Sequence, residues 1–473
     1  MGTKMSARDI AAATPGGRDR VIDLLRVASL GTVVFGHWLM AAVTVDDDGR
    51  AAVGNLLAVE PKLQLLTWFL QVMPVFFFVG GFSHALSYRS LTRRTGGAPA
   101  YALFLRARLQ RLLRPTMLFV AVWGAGALAV QLAGGNGNLT DIAARLVAQP
   151  LWFIGIYLAM VAFTPPLLRL HERYGWGAFA ALTAAAAAVD VLRFAAGVPY
   201  VEFLNFAFVW LAVHQLGFLR ADGRLRRPAL LAAAGLAGAV ALVASGPYPL
   251  SMVGMPGEKI SNMAPPTAAL LCHGMWLIGA VELLRGPMTR AVARPRVWRT
   301  VVAANGVAMT AFLWHLTAML GVYGAMLAAG VSLPAPASAA WWLHVPLRLA
   351  AAAGVTALLV AVFRRAEQPP APPASASASA SASASASASA SASASASAGT
   401  PAARRGAAPA AALGVTLALF GVLGLSMVGF GGLLEGHSAV LVAVRVTAPV
   451  TVLMCGAGWL LVETAGRARR PAA

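Results

Sequence analysis

A chain of 473 residues that is 59% hydrophobic and 11% charged departs from the composition of soluble domains, roughly 45–50% apolar and about 25% charged. This excludes a soluble globular fold and a disordered chain, and a mean hydropathy of +0.71 points to many spanning helices. The formal charge of +20 would suit a nucleic-acid binder if the cations formed one patch. They sit instead in short clusters at the ends of apolar runs, so nucleic acid is not an expected partner.

The first twenty residues (1–20) carry no apolar core or cleavage motif, and the run that follows is long enough to span, so it is expected to be retained as a signal anchor. Windows of about 20 apolar residues predict spans near 21–44, 63–87, 115–133, 150–168, 176–195, 200–219, 228–245, 264–284, 301–323, 341–363, 411–432 and 439–462. The fold class expected is all-α, a polytopic transmembrane helical bundle with a ten-span core (21–365) and two further C-terminal spans (411–462). With both termini in the cytoplasm, all but seven of the 37 Lys and Arg (Arg50, Lys62, Arg145, Arg193, Lys259, Arg348 and Arg445) fall inside. That is the asymmetry of a multi-pass cell-membrane protein. Between the core and the last spans, 366–410 is a low-complexity Pro, Ser and Ala segment with twelve Ser-Ala dipeptides from Ser375 to Ala398. It has no apolar face to bury and reads as a cytoplasmic linker. The basic residues 463–473 form a cytoplasmic tail.

Ionisable groups inside spans are expensive and mark functional candidates. The first span holds Asp23, Arg26 and His37. Eleven helical steps return within about 20° of the starting direction, so Arg26 and His37 share a face about 16 Å apart along the axis, and Asp23 can pair with Arg26 three residues on. Before the third span, Arg108, Arg111 and Arg114 recur every three residues, and forked donors clustered this way suit phosphate as well as anionic lipid. His315 of the ninth span reads as a satisfied packing histidine, as do His84, His214 and His273. Asp190 and Arg193 are spaced to pair with each other. The loop 246–266 and the acidic residues Asp46, Asp47, Asp48, Glu60 and Glu202 are either solvated or facing a polar acceptor. Cys272 and Cys455 lie far apart in apolar runs, so neither a disulfide framework nor a metal site is expected. Motifs for ATP-driven transport, serine hydrolysis and zinc proteolysis are absent.

The segment RDRVIDLLRVASLGTVVFGHW resembles the first helix of acyltransferase family 3, whose hallmark is Arg, ten residues, His, here Arg26 and His37. The resemblance continues through MPVFFFVGGFSHALSYRS, the R-x-x-R pair Arg108 and Arg111, PLWFIGIYLAM and FLWHL, covering about residues 20–365. It implies transfer of an acyl group, commonly acetyl, from cytoplasmic acyl-CoA to a hydroxyl of a carbohydrate, cell-envelope glycan or glycosylated small molecule. His37 would then be the catalytic base, Arg26 its partner held by Asp23, and Arg108, Arg111 and Arg114 the binders of the coenzyme phosphates. Acyl-CoA is a donor substrate, and no permanently bound cofactor is expected. Two departures stand out. Gly80 stands where many members carry Ser, and there is no Gly-Asp-Ser segment of a C-terminal hydrolase-like domain after the core, so the resemblance implies either that this protein finishes the transfer itself or that it hands the acyl group to a separate extracytoplasmic transferase partner. The alternative class is a twelve-span transporter or flippase using Arg26 and His37 as a relay.

Overall fold

The computed structural model describes residues 11–14, 17–45, 51–95, 100–134, 138–255, 257–366, 406–431, 433, 437–441 and 444–466. Asp46 to Asp48 and the Ser-Ala tract lie outside them. Among the described residues eleven helices are long and apolar enough to cross a membrane, and a twelfth span arises if one bent pair is taken as a single crossing. The chain is therefore an all-α polytopic protein, as its composition predicts. The spanning helices are α1 (Arg20–Met40), α2 (Met73–Thr95), α3 (Ala100–Leu132), α4 (Pro150–Tyr174), α5 (Trp176–Phe194), α6 (Asn205–Ala221), α7 (Pro228–Ser245), α8 (Ala268–Leu283), α9 (Ala308–Ala328), α10 (Ala339–Phe363), α11 (Ala407–Val428) and α12 (Ala448–Ala465).

Several boundaries differ from those read off hydropathy. α1 starts where the Asp19 carboxylate accepts the amide of Val21 at 3.2 Å, but it ends at Met40. The next residues form strand β1 (Ala41–Val45), paired antiparallel with β2 (Ala51–Asn55) in the register Ala41 to Asn55 through Val45 to Ala51. The run Val43-Thr44-Val45 is β-branched and prefers extended backbone to helix, whereas hydropathy scores it like any apolar stretch. For the same reason β3 (Ser438–Leu441) and β4 (Val444–Thr447) precede α12.

The second span is broken. A 3-10 turn at Pro61–Leu66 and a short helix at Thr67–Leu70 stop at Gln71, and α2 begins at Met73. The Gln71 amide donates to the Met252 carbonyl at 3.2 Å and accepts from Met73 N at 3.3 Å. The Trp68 indole donates to the Leu250 carbonyl at 2.9 Å, so the loop 246–266 supplies the partners that a broken helix must find in an apolar medium. α8 is only 16 residues long and turns by 53° into Arg285–Ala293. The expected start of the ninth span near 301 belongs instead to a separate helix, Pro295–Asn305, which buries Trp298 and Val301 and precedes α9.

Backbones approach closely at glycines, as helix contacts in membranes require. A Cβ on Gly81 of α2 would meet the His214 carbonyl oxygen of α6 at 2.0 Å, and one on Gly217 the Phe78 oxygen at 2.3 Å. The last two spans join the bundle in the same way. Gly458 of α12 faces the backbone of α11, where a Cβ would lie 2.4 Å from Ala418 N. Arg106 of α3 pairs with Glu463 at 2.8 Å, and Phe430 after α11 stacks on Trp123. Gly458→Leu should force α11 and α12 apart at an overpacking cost of about 1–3 kcal/mol, read as a lower unfolding temperature in detergent. A thermally unchanged variant would show that the pair does not pack this closely.

Candidate active site

α1 carries the expected triplet along one uninterrupted helix. Near its N-terminal end Asp23 is 4% exposed and accepts from Arg26 at 3.4 Å, as the spacing predicts. The shorter bonds come from Arg18, at 2.7 and 3.0 Å, a partner the sequence reading missed. Arg26 then reaches across to α2, donating to the Ser83 hydroxyl at 2.9 Å. Arg108 of α3 donates to the carbonyl of the same Ser83 at 3.4 Å and lies over the Phe104 ring. Two guanidiniums 82 positions apart in sequence therefore converge on one serine, beside which no aspartate or glutamate pairs with Arg108 among the described residues. Arg111 is exposed and Arg114 half-buried on the same helix. Such a concentration of forked donors fits an anionic ligand.

At the other end of α1, His37 meets His315 of α9, with Nδ1 of one 2.9 Å from Nε2 of the other. The rings stack at 15° with centroids 5.0 Å apart. His315 thus does not behave as the separate packing histidine expected from sequence. Its Nδ1 bonds the carbonyl of Phe312, and the Trp38 indole donates to the His315 carbonyl at 3.0 Å. A carbonyl can only accept, so with both rings neutral His315 carries its proton on Nδ1 and His37 donates from Nδ1. The Nε2 lone pair of His37 is left without a partner among the described residues. His37 also lines a cavity of about 700 Å³ roofed by β1, β2 and the loop residues Val253, Gly254 and Met263.

The remaining candidates are bonded within the helix bundle and its loops. His84 bonds the Tyr157 hydroxyl at 3.0 Å, and Thr164 bridges His84 and His214. Gly80 lies against Tyr157 and His214 with ordinary contact distances for an added Cβ, so the missing serine is not a steric necessity. His273 bonds the Trp68 carbonyl at 2.8 Å. Asp190 and Arg193 do not form an ion pair among the described residues. The Asp190 carboxylate is taken by Asn205 at 2.8 Å, by the Tyr248 hydroxyl at 3.0 Å and by the Ala268 amide at 2.7 Å, while Arg193 lies over Phe194. Burial and the nearby Asp190 charge push the Tyr248 phenol up. Three uncharged donors arranged by tertiary folding displaced the local pairing that spacing suggests. At the arginine-rich end, burial pushes the Asp222 carboxyl up, but hydrogen bonds from Arg89 and His171 outweigh it and hold the group below its usual value. The loop 246–266 is not simply solvated, since Ser251, Met252 and Asn262 are fully buried.

The family model of the acyltransferase 3 domain, described as an acyltransferase domain, matches residues 19–364. The chain belongs to acyltransferase family 3. It is a membrane acyltransferase with many apolar spans, and the match takes in α1 to α10 with Asp23, Arg26, His37, Arg108 and His315. No curated protein and no solved structure matches the chain.

Proposed function

We propose that this acyltransferase takes an acyl group, acetyl in the simplest case, from acyl-CoA on the arginine-rich side. It passes the group to a hydroxyl of a carbohydrate, a cell-envelope glycan or a glycosylated small molecule. The observation that carries this reading is the polarity of α1, which has a paired-arginine site at one end and a histidine with a free, oriented nitrogen at the other. Arg26 and Arg108, with Arg111 and Arg114 on the same helix, hold the coenzyme phosphates. The thin pantetheine arm runs along α1 and brings the thioester to His37, eleven residues or about 16 Å farther on.

There His37 Nε2 removes the proton of the acceptor hydroxyl as its oxygen bonds to the thioester carbon. The carbon–sulfur bond then breaks, and the leaving thiolate takes the proton back from His37, which leaves an ester and free coenzyme A. His315 holds His37 in the required tautomer, as an orienting group does in hydrolytic triads. The charge asymmetry supports placing the arginine-rich side in the cytoplasm of a plasma-membrane protein. Purified full-length protein incubated with acetyl-CoA and an acceptor should release free thiol in step with ester formed. Esterification without thiol release would point to a different donor.

A further inference from the structure

We propose that the cavity beside His37 is the acceptor site and that it admits an uncharged, largely apolar alcohol presented by a single hydroxyl, in preference to a bare or charged sugar. This rests on the acyl-transfer reading above and shifts its acceptor from a carbohydrate to an apolar alcohol. At about 700 Å³ the cavity has the size of a drug-like ligand site. Among the described residues no lysine, arginine, aspartate or glutamate lines it, so a phosphate, sulfate or carboxylate carried into it would lose its hydration with no counter-charge to replace it.

The polar side chains of the lining are few, and Thr67, Gln71 and half of Asn55 are already engaged. The Thr67 hydroxyl donates to the Gln64 carbonyl at 2.5 Å and accepts from Met252 N at 2.9 Å. Gln71 is spent on Met252, Met263 and Met73. Asn55 caps Leu57 N at 2.9 Å. Thr32, Gln149, the Trp152 and Trp342 indoles and Nε2 of His37 remain as lining side-chain polar groups with no protein partner among the described residues, apart from the outward half of the Asn55 amide. A sugar ring entering this space would leave hydroxyls unpaired, and each buried unpaired hydroxyl is penalised. An apolar body with one or two hydroxyls finds partners enough in these few groups. The rim agrees, since Leu66, Leu70 and Trp342 line the cavity and are also exposed apolar side chains. The cavity thereby opens at exposed apolar side chains, which favour the approach of such an alcohol.

The test uses the full chain in liposomes with radiolabelled acetyl-CoA and three acceptor sets: steroid and terpenoid diols, the same diols carrying one sulfate, and free hexoses. Labelled ester should form from the neutral diols about tenfold faster or more than from either other set. Val53→Trp, which fills the cavity from β2, should lower transfer to the neutral diols about tenfold, with acetyl-CoA affinity serving as the check that the bundle is intact. Faster transfer to hexoses or sulfated diols overturns the proposal, as does a Val53→Trp variant that folds and still acylates the diols normally. If Val53→Trp spares acetyl transfer but abolishes use of long-chain acyl-CoA, the cavity holds the donor's chain and the proposal falls. Thiol release that persists while no neutral diol is acylated defeats the acceptor class alone. Absence of thiol release with every acceptor defeats the underlying acyl-CoA reading.

Discussion

Replacing His37 by Gln should lower acyl transfer roughly 100-fold or more, the scale of a removed general base, with membrane yield and acyl-CoA binding unchanged. Gln can still donate to Nε2 of His315 across the 2.9 Å contact but cannot accept a full proton, so a purely packing role would survive this change. His315 supplies the complementary arm. With His315→Leu, the Nδ1 proton of His37 loses its acceptor, and turnover should fall about 10–100-fold with little change in the KM for acyl-CoA. With His315→Gln, the side-chain oxygen can accept from His37 while its NH₂ serves the Phe312 carbonyl, so much of the turnover should return. His273→Gln is the matched control, because its bond runs to the Trp68 carbonyl away from His37. If His315→Leu folds and turns over normally, His315 does not orient the base. If His37→Gln is also active, the base lies elsewhere.

The second large effect is expected at the arginine site. Arg108→Ala should raise the KM for acyl-CoA and weaken its binding by roughly 1.5–3 kcal/mol for the lost charge-assisted contact, about 10- to 150-fold. Lys at this position should restore only part of the loss, since the fork is gone. Arg26→Ala should act similarly. Both side chains rest on Ser83, so the double variant should fall short of the sum of the two single losses. Arg111 and Arg114 make no bond to Ser83, and their alanine variants are expected to cost less, with the effect at the exposed Arg111 fading at high salt. Acyl-CoA affinity that stays constant across this series, measured by equilibrium binding to the full chain in detergent, would assign the arginines to membrane topology alone.

Gln71 illustrates why the spans themselves were legible but their interruptions were not. A stretch such as 63–87 is apolar enough to cross whatever its backbone does. The break in it depends on Met252 and Met263 arriving from a loop about 180 residues away to satisfy the freed groups. The strands β1 and β2 were missed for a related reason, because a hydropathy window weighs how apolar Val43 and Val45 are and ignores their β-branching.

Sequence by itself determined that the chain is an all-α polytopic membrane protein, and it determined that Arg26 and His37 share one helix face with Asp23 beside Arg26. Each follows from composition or from the fixed geometry of a single helix. Only the tertiary structure decided that Arg26 and Arg108 meet on Ser83, that Asp190 serves Asn205, Tyr248 and Ala268 instead of Arg193, and that His315 is the partner of His37. Those pairings join residues as far as 278 positions apart, and no local period encodes them. They arise where helix packing, drawn close by residues such as Gly81 and Gly217, brings polar groups together in a medium that leaves them no water to bond.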